Sequence, residues 1–447
     1  MKNSSLYLLF FFAIVLMVFN GCKKDDDLVI QLDTSDYSSE VVLSWIELTL
    51  KLTKETPGYS PPVAARVYGY SGLALYESVR HGMPGYKSLE GQLNDFSIGT
   101  IPAIDQNVEY HWGAVANSTL ALFLKNCFQT TSTANLALID DLEEQYIQQF
   151  KTEASDEVID RSIAYGELVG NAVLTFANSD GQAECYNSNF PSSYTVPVGD
   201  GLWEPTSAAN PIPLQPYWGD VRPFMEINVD DLLPVPPPAY STDVNSDFYL
   251  EAMEVYEAVN NLTTEQVVIA EFWSDDPGNT ATPPGHSYSI MMQILSDEGA
   301  DLALAAEVYA KLGMGVHDAF VSCWNAKYHY NLVRPITFIH DNIDNTWSIP
   351  LATPPFPEYT SGHSVQSGAT AQILTDLFGE NYAFVDRTHI NRTDIDGSPR
   401  AFTSFYDFAD EAAISRLYGG IHYRAAIDIG VEQGIAIGEN IATLQFQ

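Results

Sequence analysis

The sequence predicts an all-α fold made of two packed helical bundles. Apolar residues recur at three- and four-residue steps through most of the 447 residues, and few stretches alternate as half-buried strands do. Residues 179 to about 243 lose that period and divide the chain, with Pro234-Val235-Pro236-Pro237-Pro238 as the clearest break. A hydrophobic content of 46% supplies a sizeable core at this length.

The first 22 residues stand apart from the fold. Lys2 gives a basic start, Leu6 to Phe19 is an apolar run, and Asn20-Gly21-Cys22 closes it. That run is too short to span a membrane stably and reads as an export signal. A cysteine placed directly after it resembles a bacterial lipoprotein cleavage site, which implies a lipid anchor at Cys22. Lys23-Lys24-Asp25-Asp26-Asp27 resembles the acidic-flanked signals of surface lipoproteins in Bacteroidetes-type bacteria. The expected location is the outer membrane, facing the periplasm or the cell surface, with residues 23–38 as a tether.

An N-terminal helical lobe and its connecting loop are expected over 39–240. Its helices run from Val41 to Lys54, Pro61 to Arg80, Val108 to Phe128, Ala134 to Lys151 and Glu157 to Ala177. Pro61-Pro62 suits a helix start, and Gly82 with Pro84 a helix end. The many aromatics after residue 179 argue for an ordered connection and against a floppy linker. A second lobe over 241–447 has helices at Asp247–Asn260, Glu265–Trp273, Ser287–Leu295, Gly299–Lys327, Ser364–Phe378, Ala409–Tyr418 and Ala425–Leu444.

Acidic residues outnumber basic ones 58 to 20, for a net charge of -38. That balance excludes nucleic acid as a partner, because phosphate contacts need Lys and Arg. Beyond Cys22, only Cys127, Cys185 and Cys323 remain, without metal-ligand spacing, so cysteine chemistry does not carry the function.

Against this acidity, three cationic elements stand out late in the chain. His317, Trp324 and Lys327, seven and three residues apart, share one helical face, and Arg334-Pro335 follows. Thr360 or Ser361 suits an N-cap, and Gly362 permits an amide to approach a bound anion at the helix start, beside His363. Arg416 and His422, six residues apart, would point to opposite sides of an unbroken helix, but Gly419-Gly420 can break it so that both converge. Each piece alone has a plain structural reading: a core tryptophan, a capped helix start, a glycine-broken helix. Together they assemble the groups that bind a tetrahedral or trigonal-bipyramidal oxyanion.

The pattern Lys-x6-Arg-Pro, Ser-Gly-His, Ser-Arg-x5-His resembles the shared signature of vanadium-dependent haloperoxidases and type 2 phosphatidic acid phosphatases, over residues of about 299 to 445. The resemblance implies vanadate as cofactor, with His422 as the vanadium ligand. It also implies oxyanion contacts from Lys327, Arg334, Ser361, the Gly362 amide and Arg416, and His363 as acid–base. Hydrogen peroxide and a halide are the implied substrates, with phosphate as a competing anion. The family's usual acidic residue four after the last histidine is Ala426 here, and Asp428 is the nearest carboxylate in sequence. What orients His422 is therefore open.

Trp324, three before Lys327, and Phe356, five before Ser361, match the haloperoxidase pattern of an aromatic wall for halide and peroxide. The start and helical length most resemble iodide-specific enzymes of marine flavobacteria, so iodide is the expected halide. The acid phosphatase alternative would use His422 as nucleophile, and the missing acid at Ala426 counts slightly against it. A glycan-binding surface lipoprotein is a third reading, but it would need helical repeats that the sequence lacks. Pro283-Pro284-Gly285-His286-Ser287 looks like a second histidine motif, either lining the active-site mouth or capping a helix. His317 and His329 read as structural.

Overall fold

The computed structural model describes residues 31–447 except 100, 102, 103, 106 and 208–210. The leader, Cys22 and tether residues 23–30 lie outside the described residues. The rest of that segment docks on the fold: the buried Thr34 hydroxyl donates to the Val79 carbonyl at 2.9 Å, and Ser38 bridges Asp301.

The described fold is all-α with one short hairpin. Helices α1 (Glu40–Glu55), α2 (Pro61–Val79), α3 (Trp112–Cys127), α4 (Thr133–Phe150) and α5 (Asp156–Asn178) form the first half. The short α6 (Ile227–Asp230) lies in the connection. Then come α7 (Asp247–Asn260), α8 (Thr264–Phe272), α9 (Thr282–Asp297), α10 (Leu302–Tyr330), α11 (Pro335–Asn342) and α12 (Gly362–Phe378). The hairpin pairs β1 (Phe384–Asp386) antiparallel with β2 (Arg400–Phe402), and α13 (Phe405–Tyr418) and α14 (Arg424–Ala442) finish the chain. No described helix is long and apolar enough to cross a membrane.

The hairpin and α6 are absent from the sequence reading, α13 starts at Phe405 and not Ala409, and two further departures involve prolines. Pro335 does more than fix a turn: it occupies the first turn of α11, where its missing N–H costs nothing. Pro283 and Pro284 likewise start α9 earlier than expected, which puts His286 inside the helix.

The long α10 is the central post. It packs chiefly on α2 and α12, and the larger apolar core runs continuously from Val41 to Phe446 around it. Small residues set the spacing. A Cβ on Gly72 would lie 2.6 Å from the Tyr309 carbonyl oxygen, and one on Gly434 would lie 2.1 Å from that of Val365. These contacts bring α2 against α10 and α14 against α12 closer than any side chain allows. Cys127, Cys185 and Cys323 are free thiols.

The aperiodic connection is ordered, as its aromatics predict: Trp203, Trp218 and Phe224 are buried. Leu214 is buried in the core and also ties the connection to the second half through its main chain. Its N–H donates to the Pro355 carbonyl at 2.8 Å, and its carbonyl accepts from Trp324 Nε1 at 3.3 Å and the Tyr328 hydroxyl at 2.7 Å.

Candidate active site

The three sequence elements meet around one cavity of about 270 Å³. Gly362, His363, Arg416 and His422 line it, with Trp324, Phe356 and Phe320 as an aromatic wall. The Trp324 and Phe356 rings lie 5.0 Å apart. Arg334, Ser361 and Lys327 sit directly behind the lining, fully buried.

Each position follows from local structure. Ser361 is the N-cap of α12, its Oγ accepting from the Ser364 amide at 3.4 Å, so Gly362 begins that helix. The partial positive charge of the helix start faces the cavity there. α13 ends at Tyr418, and Gly420 adopts φ 73°, so Arg416 and His422 both reach the cavity as their spacing requires.

His422 is oriented by a residue the sequence did not point to. Its Nδ1 donates to Glu358 Oε1 at 2.8 Å, and the same oxygen accepts the Tyr423 amide at 2.9 Å. This fixes the tautomer and leaves Nε2 unprotonated, 3.3 Å from Arg334 Nη1. Glu358 therefore supplies the carboxylate that Ala426 does not, and the argument from Ala426 against a phosphatase falls away. Ala426 contributes main chain instead, its carbonyl accepting the Ser361 amide at 3.0 Å. No motif marks Glu358; only its place three residues before Ser361 could have suggested it.

The cations divide their donors unequally. Arg334 gives Nε to the Phe356 carbonyl at 2.9 Å and Nη1 to that of Ile421 at 2.7 Å, while its buried Nη2 has no partner among the described residues. Arg416 gives Nε to the Ser415 hydroxyl at 2.9 Å and Nη2 to the Trp273 carbonyl at 2.6 Å. Lys327 gives all three protons to the carbonyls of Pro357, Glu358 and Thr360, at 3.1, 2.9 and 2.5 Å. In this arrangement it pins the loop before α12 and has none left for an oxyanion.

Burial pushes Lys327 down to about 8 and both Arg334 and Arg416 down to about 10. His422 is held well below its usual range by burial and then by Arg334, and His363 by burial and then by Arg416, so both rings are neutral at neutral pH. Burial raises Glu358, while Arg334, Lys327 and the Tyr423 amide pull the other way and favour its carboxylate form. The His363 Nε2 is buried and has no partner among the described residues. Three buried cations, one of them Arg334 with its Nη2 lacking a partner among the described residues, are chemically fitted to an anion.

The other histidines lie elsewhere. His317 is buried against Tyr70 and Phe224, its Nε2 bonding the Arg222 carbonyl at 3.2 Å, and His329 packs edge-on against Tyr330. His286 is absent from the cavity lining and is buried behind it.

Residues 307–446 match a family model described as the VCPO second helical-bundle domain. The chain is 22% identical to the vanadium chloroperoxidase of Curvularia inaequalis, over 88% of this chain and 80% of that protein. Its fold is similar to the crystal structure of the first bacterial vanadium-dependent iodoperoxidase, with a TM-score of 0.81 and 35% identity over 91% of this chain and 97% of the other. An apo-type bacterial vanadium-dependent chloroperoxidase superposes with a TM-score of 0.63 at 16% identity, covering 86% and 93% of the two chains.

Proposed function

The chain belongs to the vanadium-dependent haloperoxidases, whose cofactor is vanadate, and we propose that it uses hydrogen peroxide to oxidise iodide to the hypohalous acid. The cavity's chemistry fits that oxyanion: Arg334 Nη2 and His363 Nε2 are buried with nothing to bond among the described residues, and Gly362 opens a helix at its wall. Vanadate bound there supplies Lewis acidity toward peroxide.

His422 is the vanadium ligand through Nε2, which is free to donate its lone pair because Glu358 holds the Nδ1 proton. Arg334, Arg416, Ser361 and the Gly362 amide hold the oxyanion's oxygens, and phosphate, of like shape, competes for them. Lys327 serves through its charge and through the loop it pins. His363 accepts a proton at its unpartnered Nε2, which the neutral ring leaves open. Trp324 and Phe356 exclude water and offer a polarisable wall to the halide.

The observation that carries the proposal is the Glu358–His422–Arg334 chain beside an aromatic cavity. Iodide is favoured by the likeness, at 35% identity, to a bacterial enzyme described as an iodoperoxidase, and because iodide is the most easily oxidised of the three halides. The test is the leaderless protein loaded with orthovanadate and given peroxide with iodide, bromide or chloride. Vanadate-dependent triiodide, abolished in His422→Ala and weak in the bromide lane, is expected. Equal bromide turnover would overturn the iodide preference. The same pocket would suit a phosphohistidine at His422, so p-nitrophenyl phosphate without vanadate runs in parallel. Phosphate release with no halide oxidation would overturn the proposal.

The export leader supports a lipid anchor at Cys22 as part of this reading. Metabolic labelling with an alkyne fatty acid should mark the full chain and not Cys22→Ala, and equal labelling of both would remove the anchor.

A further inference from the structure

Behind the active site lies a second constellation that the proposed reaction does not use. Asp275, His286 and His389 each place one ligating atom within 4.8 Å of the others, and all three are buried. They also line a cavity of about 260 Å³ that is separate from the halide cavity, with Asp275 in the wall of both.

Two of these atoms are unsatisfied. Asp275 Oδ1 and His389 Nε2 are buried without a hydrogen-bond partner among the described residues, although they lie 3.3 Å apart. A buried polar atom left unpaired is destabilising unless a ligand satisfies it. The separation has a meaning of its own. With zinc–nitrogen and zinc–oxygen distances of about 2.0–2.2 Å, two ligands on one tetrahedral ion lie roughly 3.3–3.5 Å apart.

His286 completes the set. Its Nδ1 meets Asp275 Oδ2 at 2.9 Å, and its Nε2 meets Asp386 Oδ2 at 2.7 Å. Asp386 is itself fixed by the Thr388 amide at 2.9 Å and the Thr388 hydroxyl at 2.6 Å. A metal-binding imidazole commonly donates its other N–H to such an anchored carboxylate. Trp273 stacks on the His286 ring at 4.4 Å and holds its plane.

We propose that Asp275, His286 through Nδ1 and His389 through Nε2 form a binding site for a zinc-class divalent cation, reached from the second cavity. Two neutral imidazoles and one carboxylate select zinc over calcium or magnesium, which prefer oxygen.

The test uses the whole leaderless enzyme, passed over a chelating resin and then loaded with orthovanadate so that the active-site histidines are covered. Zinc chloride titrated calorimetrically should bind at one ion per chain. His389→Ala should weaken binding at least 100-fold, and Asp386→Asn by roughly 10–100-fold, because the latter removes only the carboxylate that orients His286. The Asp386 variant keeps all three ligands, so it tests the site even where His389→Ala fails to fold. Cobalt(II) in place of zinc should give visible d–d absorption that His389→Ala loses. Absence of one-to-one zinc binding, affinity unchanged in both variants, or equal binding of calcium would overturn the site.

Discussion

Glu358 accepts the Nδ1 proton of His422 at 2.8 Å from a loop that runs directly into the oxyanion-binding turn. One carboxylate thus fixes the imidazole and shares its backbone with the groups that face the bound oxygens. Glu358→Gln retains an acceptor but removes the charge, and is expected to weaken vanadate binding roughly 10–100-fold with the fold intact. Titration of the metal-free enzyme with orthovanadate, read by recovered peroxidase activity, measures this. Unchanged affinity would mean that His422 needs no charged partner.

The aromatic wall makes a separate prediction. Phe356→His and Trp324→Phe should each shift the ratio of kcat/KM for iodide over bromide by about tenfold, a change of roughly 1.4 kcal/mol in relative barrier. Vanadate affinity should change far less, because neither ring donates to the oxyanion. Identical halide ratios in both variants and the parent would place halide selection elsewhere.

Gly434→Ala should destabilise the protein by about 3 kcal/mol or more, since its Cβ would lie 2.1 Å from the Val365 carbonyl oxygen. The two helices it would separate begin just after His422 and at Gly362, so vanadate affinity should fall together with the melting temperature. A variant melting like the parent would show that the α12–α14 contact yields easily.

Acid should unfold the protein partly through His317. Burial holds this ring down to about 4 from 6.5, so the fold favours its neutral form. The corresponding stability is fully present above pH 6.5 and is lost as pH falls toward 4. The loss across that window is roughly 2–3 kcal/mol. His317→Gln keeps a donor for the Arg222 carbonyl and removes the titration. Urea midpoints at pH 7.5 and 4.5 should therefore differ less in the variant than in the parent, and an equal difference would acquit His317.

Helices were the most legible part of the sequence, because burial of one face imposes a period that survives any choice of side chain. The anion site was legible for a different reason: Lys327, Arg334 and Arg416 are costly to bury in a strongly acidic chain without a ligand to repay them. Glu358 escaped because its role depends on a loop crossing beneath His422, and no local pattern encodes that crossing. The Lys327 side chain was placed by its motif but its aim was not, since backbone carbonyls that compete for its protons leave no trace in residue identity. Asp275 and His286 are 11 residues apart but Asp386 lies 100 residues beyond His286, so only the folded chain brings the two segments together.

The contacts of Leu214 have a consequence for how this enzyme can diverge. Trp324 and Tyr328 are both held by its carbonyl, and Pro355 accepts its amide, so no side chain at position 214 takes part in these bonds. Other apolar side chains that fill the same buried space can replace leucine while the tryptophan keeps its place, with proline excluded at 214 because it lacks the amide. Insertion or deletion of one residue there would shift the register and release the ring. Relatives with the same pocket can therefore look unrelated across this connection, with its length preserved where its composition is not.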